Sequence, residues 1–377
     1  MTDKFDDIRP YNDQETVAAL HRLADNPVVT AIQNYLFPDM KPGEFSGLLR
    51  SVKGVDDLQN MVMTKVISSI IETSTLGLSC GGLENFILPG GIVGRFLLLS
   101  THRDIVLDPA FIQYVLALNN LPCTEIAVGN NLMVNSTVED MIRSNRMIKV
   151  VRSEKPREVY FNSSRLSDYI RGQITGGRSS VWIAHRQGRT KDGMDQTGQG
   201  LLKMLDMSGK DSFTENFSQL NIMPVTVSYE YESCGAMKAL EDITREKQGF
   251  YRKSEGEDLT SMIEGIRQFK GHVHIEFCKP VPREVYEKAD TYPKNDKYRY
   301  LCEYMDGVMF PAFKLWPSNY AAADILENGT RYSDHYSPQD KESLLDHIEK
   351  ESAGMPPGVK TRLLEIYSAH ILKKSGK

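Results

Sequence analysis

An α/β fold with a mostly parallel central sheet flanked by helices, carrying helical N-terminal and C-terminal extensions, is predicted by the hydrophobic pattern of the chain. Two observations carry that expectation. Between Phe96 and about Pro282, six short apolar runs alternate with longer stretches of helical periodicity. Before residue 90 and after Pro282, apolar residues recur at helical spacing. The expected organisation is a helical region over 1–90, an α/β domain over 91–290 and a helical region over 291–377. With 377 residues, 40% hydrophobic and 25% charged, the chain is long enough for one large domain with appendages or for two domains.

In chain order, Val17, Leu20 and Leu23 mark a first helix, and Val62, Val66, Ile70 and Ile71 a later one. Pro38-Asp39-Met40-Lys41-Pro42-Gly43 separates them as a breaker. Strands are expected at 96–100, 125–128, 149–152, 181–184, 223–229 and 273–277, with helices at 109–119, 137–146 and 163–174 between them. The clearest helices after Pro282 are 342–351 and 360–372.

Charge and cysteine usage exclude several classes. A formal net charge of −5 argues against broad nucleic-acid binding, although local basic clusters can still hold phosphate. The five cysteines (Cys80, Cys123, Cys234, Cys278, Cys302) are scattered, which predicts a reduced cytoplasmic setting with neither a disulfide framework nor a zinc site. The acidic start, Met1-Thr2-Asp3-Lys4-Phe5-Asp6-Asp7, lacks a signal-peptide core. No run reaches the roughly 20 apolar residues of a membrane span. The most hydrophobic region, 86–99, is broken by Gly90, Gly91, Gly94 and Arg95.

Three clusters carry chemistry. Ser100-Thr101-His102-Arg103-Asp104-Ile105-Val106-Leu107-Asp108 follows the apolar run 96–99. It puts an imidazole at a strand's carboxyl end, where open α/β sheets build their sites. A histidine beside a carboxylate can deprotonate a hydroxyl or an amine. Asp108 and Asp104 are both placed to orient it. Asp108-Pro109 also reads as a helix N-cap with proline at the first helical position. The second cluster, His185-Arg186-Gln187-Gly188-Arg189-Thr190-Lys191-Asp192-Gly193, joins glycine turns to three bases. Such a loop can hold a phosphate or stand as a solvated basic turn. In the third, the run Met147-Ile148-Lys149-Val150-Val151-Arg152 ends in a base.

In this order and spacing the clusters resemble the glycerolipid acyltransferases, the glycerol-3-phosphate and 1-acylglycerol-3-phosphate acyltransferases of the HxxxxD type. Their first block resembles the stretch from Thr101 to Asp108, their second the run ending at Arg152, and their third, Pro-Glu-Gly-Thr-Arg-like, the loop from His185 to Thr190. The fourth, an apolar strand with a proline, resembles Ile222-Met223-Pro224-Val225-Thr226-Val227. The likeness spans about 95–280 and is closest to a bacterial branch without membrane spans. Two departures stand out. Five residues rather than four separate His102 from Asp108, and Gln187 stands where the family carries glutamate.

The resemblance implies His102 as general base, with Asp108 or Asp104 as its partner. It implies Arg103, Arg152, Arg186, Gln187, Gly188, Arg189, Thr190, Lys191 and Pro224 around the substrates, with Pro224 on the acyl-chain side. It also implies an acyl thioester on acyl carrier protein or coenzyme A as cosubstrate, no metal or other cofactor, and a glycerophosphate or lysophospholipid acceptor. A cytoplasmic protein peripheral at the inner face of the membrane follows. The N-terminal helices and the stretch 310–316 are the expected lipid contacts, or else a cap packed on the core. N-acylation of an amino acid to an aminolipid, or a catalytically silent lipid-binding homologue, are the alternatives.

Overall fold

The computed structural model describes residues 3–374. Within them the strands are β1 (Gly77–Gly81), a small hairpin of β2 (Ile87–Leu88) and β3 (Ile92–Val93), β4 (Leu97–Ser100), β5 (Glu125–Gly129), β6 (Met147–Val150), β7 (Val181–Ala184), β8 (Ile222–Tyr229) and β9 (His272–Phe277). Seven of them form one sheet in the order β1-β9-β8-β4-β7-β5-β6. All neighbours run parallel except β8 and β9. The fold is therefore α/β, with helices over both faces of a mostly parallel sheet.

The strand sequences explain the burial. All four residues of β4 and all eight of β8 are buried, as continuous apolar runs in a doubly covered parallel sheet should be. Side chains on β5 alternate: Ile126 packs with the helices Leu107–Leu118 and Thr64–Ser74 on one face, and Ala127 with Pro156–Thr175 and Gln199–Asp206 on the other. The helices Asp13–Ala24, Pro27–Leu36 and Glu44–Ser51 enclose a smaller core. Another forms where Pro317–Leu326, Pro338–Glu351 and Gly358–Lys374 meet Gly235–Gln248.

The structure differs from the sequence expectation in three places. The stretch to residue 90, expected to be helical, contains β1 and β2. Gly77-Leu78-Ser79-Cys80-Gly81 shows no strand pattern of its own and finds its partner in β9, with Gly77 opposite His272. The strand expected at 149–152 is Met147–Val150, so Arg152 stands beyond its end. The helix expected at 163–174 begins at Pro156, where proline occupies the first turn. For 310–316 the structure agrees with the second of its two expected roles, packing on the core: Phe313 and Trp316 are buried, and Phe313 stacks on His370 at 4.1 Å. No helix among the described residues is long and apolar enough to cross a membrane.

Candidate active site

β4 ends at Ser100, and the chain turns so that His102 lies beside the start of the helix Leu107–Leu118. His102 Nδ1 is 3.2 Å from Asp108 Oδ2. That oxygen also accepts the backbone N–H groups of Arg103 at 2.6 Å and Asp104 at 2.8 Å. The other carboxylate oxygen accepts the Tyr229 hydroxyl at 2.7 Å. Asp108 is fully buried, and this complete hydrogen bonding makes a charge there tolerable. A proton on Nδ1 directed at Asp108 leaves Nε2 as the lone-pair nitrogen. The ring packs edge-on against Trp182, with centroids 6.1 Å apart.

Asp104, the other sequence candidate, is turned away. Its Oδ1 accepts from Val106 N at 2.8 Å and Leu107 N at 2.7 Å, and its Oδ2 accepts from the Ser233 hydroxyl. Asp104 thus caps the first helical turn, the role expected of Asp108, while Asp108 holds the imidazole. The longer loop between His102 and Asp108 contains its own cap.

Arg103, expected around the substrates, is instead enclosed in the protein. Its side chain is 3% exposed. Nε donates to Asp195 Oδ2 at 3.1 Å, Nη1 to Glu232 Oε2 at 2.9 Å and Nη2 to Gly193 O at 3.2 Å. Its guanidinium lies 4.9 Å from the Phe313 ring centroid. Lys238 donates to Glu232, and His370 Nε2 lies 3.2 Å from Asp195 Oδ2. This buried network ties the His102 loop to the C-terminal helix. None of Asp195, Glu232, His370 or Tyr229 stands out in the sequence. The only local signal is that Asp195 closely follows the basic loop.

The loop after β7 turns at Gly188, whose φ of +76° favours glycine. Its Thr190 is structural: the backbone N–H donates to His102 O at 2.8 Å and the hydroxyl to Asp195 Oδ1 at 2.7 Å. Lys191 is also committed, with Nζ 3.2 Å from Glu241 and 3.2 Å from Arg189 O. Burial takes its ammonium down to about 8 even with Glu241 beside it. Burial likewise holds the His185 imidazole neutral, at about 4. Arg189 is the contrasting case. It is 7% exposed, and its Nη1 has no hydrogen-bond partner among the described residues.

Arg189, Arg186, Gln187, Gly188 and Lys191 line a cavity of about 530 Å³ together with His102 and Arg152. A Cβ at Gly129 would meet Arg152 Nε and Nη2 at 3.0 Å, so that guanidinium lies across the end of β5. A second cavity of about 520 Å³ has walls that include Ile32, Met63, Ile67, Ala110, Ile126 and Met262. Consecutive residues divide between the two: Ile105 and Ala127 line the first, Val106 and Ile126 the second. They are neighbours. Pro224 lines neither; it is buried in the sheet opposite Leu99, so its expected place along an acyl chain is not found.

No protein-family model and no curated protein matches the chain. Among solved structures it is similar to the 1-acyl-sn-glycerophosphate (LPA) acyltransferase PlsC from Thermotoga maritima, at 11% sequence identity and a TM-score of 0.41, over 80% of this chain and 97% of that one.

Proposed function

We propose that this chain is an acyltransferase that moves a fatty acyl group from a thioester of acyl carrier protein or coenzyme A to the hydroxyl of glycerol-3-phosphate or a lysophospholipid. One observation carries the reading. An imidazole oriented by a buried carboxylate and a buried arginine with an unpartnered N–H line the same cavity. A base and an anion receptor side by side suit an acceptor that carries both a hydroxyl and a phosphate.

In this mechanism the acceptor's phosphate pairs with Arg189, with Arg186 and Arg152 at the cavity wall. His102 Nε2 takes the hydroxyl proton as that oxygen attacks the thioester carbonyl. Asp108 fixes the tautomer and stabilises the imidazolium. Backbone N–H groups around Gly188 face the developing oxyanion, each donor contributing about 3–4 kcal/mol. The carbon–sulfur bond then breaks, the thiolate leaves with the proton from His102, and an ester remains. The thioester is already activated, so no covalent enzyme intermediate is needed. General-base catalysis of this kind contributes about 10²- to 10⁴-fold. The neutral Gln187 contributes hydrogen bonds and no charge at the rim.

The apolar second cavity takes the fatty chain, where each methylene withdrawn from water contributes about 0.8 kcal/mol. Long-chain products partition into lipid, so the protein works as a peripheral enzyme at the inner face of the membrane.

Two outcomes test the assignment of the cavities. Arg189→Ala should raise KM for the acceptor about 10- to 100-fold, the cost of losing charge-assisted hydrogen bonds, with KM for the donor unchanged; steady-state kinetics varying each substrate will show it. Equal rises in both constants would remove Arg189 from the phosphate role. Ala110→Phe, which fills the apolar cavity, should move the preferred acyl chain to shorter lengths. At about 0.8 kcal/mol per methylene, the variant loses about fourfold for every carbon that no longer fits. A wild-type chain-length profile would place the acyl chain elsewhere.

A further inference from the structure

Three segments stand around the mouth of the His102 cavity: 131–136 after β5, the first turns of the helix Pro156–Thr175, and the loop 249–256. Asp258, at the start of the helix Glu257–Arg267, joins the first and the last of them. Asn131 Nδ2 donates to Asp258 Oδ2 at 2.9 Å, Lys253 Nζ lies 2.5 Å from Asp258 Oδ1, and all three residues line the cavity with Leu132 and Val159. Each segment holds large apolar side chains in the open: Val134 is 66% exposed, Tyr160 69%, Phe161 64% and Phe250 64%. The helix end protrudes, since residues 154–161 are all exposed. Val159, Ser163 and Leu166 form its cavity face, so helical geometry turns Tyr160 and Phe161 away from the cavity.

Single exposed apolar residues are ordinary, but several around one opening mark an interaction surface. Charge chooses the partner. On the outer rim Arg152, Lys155, Arg157, Arg252 and Lys253 stand against Glu154, Glu158, Glu255, Glu257 and Asp258 in equal number, and the excess positive charge lies inside the cavity on Arg186, Arg189 and Lys191. A rim whose charges cancel is a poor complement to a strongly acidic carrier protein. It suits an interface entered by aromatic and aliphatic side chains, with bases at headgroup level. The apolar surface continues past the second cavity, where Tyr35, Leu259 and Ile263 are 48%, 51% and 42% exposed.

We propose that this rim seats on a phospholipid bilayer, with Val134, Tyr160, Phe161 and Phe250 entering the interface, so that both cavities open toward lipid. The choice of a bilayer as occupant rests on the lipid-acyl reading of the site. The test is flotation of the full chain with vesicles of phosphatidylcholine alone and of phosphatidylcholine with phosphatidylglycerol. It compares wild type with the variant Tyr160→Ser/Phe161→Ser/Phe250→Ser, whose fold is checked by circular dichroism.

Wild type should float with both vesicles, and the triple variant's partition coefficient should fall about tenfold or more with each. Its transfer of a short acyl group to a water-soluble acceptor should be unchanged. Equal flotation of the two proteins would overturn the proposal. So would loss of binding to immobilised acyl carrier protein in the variant without loss of flotation. Flotation needs no turnover: if it depends on these aromatics in a protein that transfers no acyl group, the lipid surface stands and the assigned reaction falls.

Discussion

His102→Ala is expected to abolish acyl transfer while leaving the protein folded. Loss of the base alone removes about 10²- to 10⁴-fold, and among the described residues the ring is also the only imidazole lining the cavity of Arg189. The fold survives because the side chain is 14% exposed at the cavity wall and makes one polar contact, with Asp108. Asp108 keeps three other donors: the backbone N–H groups of Arg103 and Asp104 and the Tyr229 hydroxyl. Turnover of purified wild-type and variant protein, read with their thermal melts, checks both halves. Near wild-type turnover would remove His102 from the chemistry, and an unfolded variant would make the residue a scaffold.

Arg103→Ala should have the largest effect on stability. Its guanidinium sits between Asp195 and Glu232, whose side chains are 3% and 5% exposed. Removing it leaves buried carboxylates short of compensation, which typically costs about 3–5 kcal/mol. The Asp195 carboxyl shows the dependence. Burial pushes it up, yet Arg103 and His370 together hold it well below the usual carboxylate range. A carboxyl depressed in this way stabilises the fold above its unfolded pKa, and that contribution fades as pH falls toward its folded value. In the variant the depression shrinks, so the stability deficit should be full at neutral pH and narrow in acid. Urea denaturation at pH 7 and at pH 3, below the ordinary carboxylate value, will measure both. A loss below about 1 kcal/mol at pH 7 would mean that the network is replaceable.

The sequence was legible where chemistry and pattern coincide. The apolar runs that became β4, β7 and β8 are continuous because the sheet covers them on both faces, and His102 follows the first of them directly. Legibility failed where a partner lies far along the chain. Arg103 sits in a basic motif and reads as a substrate contact, but Asp195, Glu232 and His370 converge on it from 92, 129 and 267 residues away. Thr190 is held by Asp195 for the same reason, whereas Lys191 lines the cavity while pairing with Glu241. The choice between the two aspartates was not legible, because a loop's path decides which carboxylate meets an imidazole and which meets a helix end. β1 was missed because a short glycine-flanked edge strand has no periodicity of its own.

The most direct test of the central claim is product identity. The purified protein would be offered acyl carrier protein and coenzyme A thioesters of a long fatty acid, with glycerol-3-phosphate, lysophosphatidate and glycine as competing acceptors, and the products identified by mass spectrometry. The account predicts an ester of a phosphate-bearing acceptor, formed by wild type and absent with His102→Ala. An amide of glycine, or no acyl product from any pair of substrates, would contradict it.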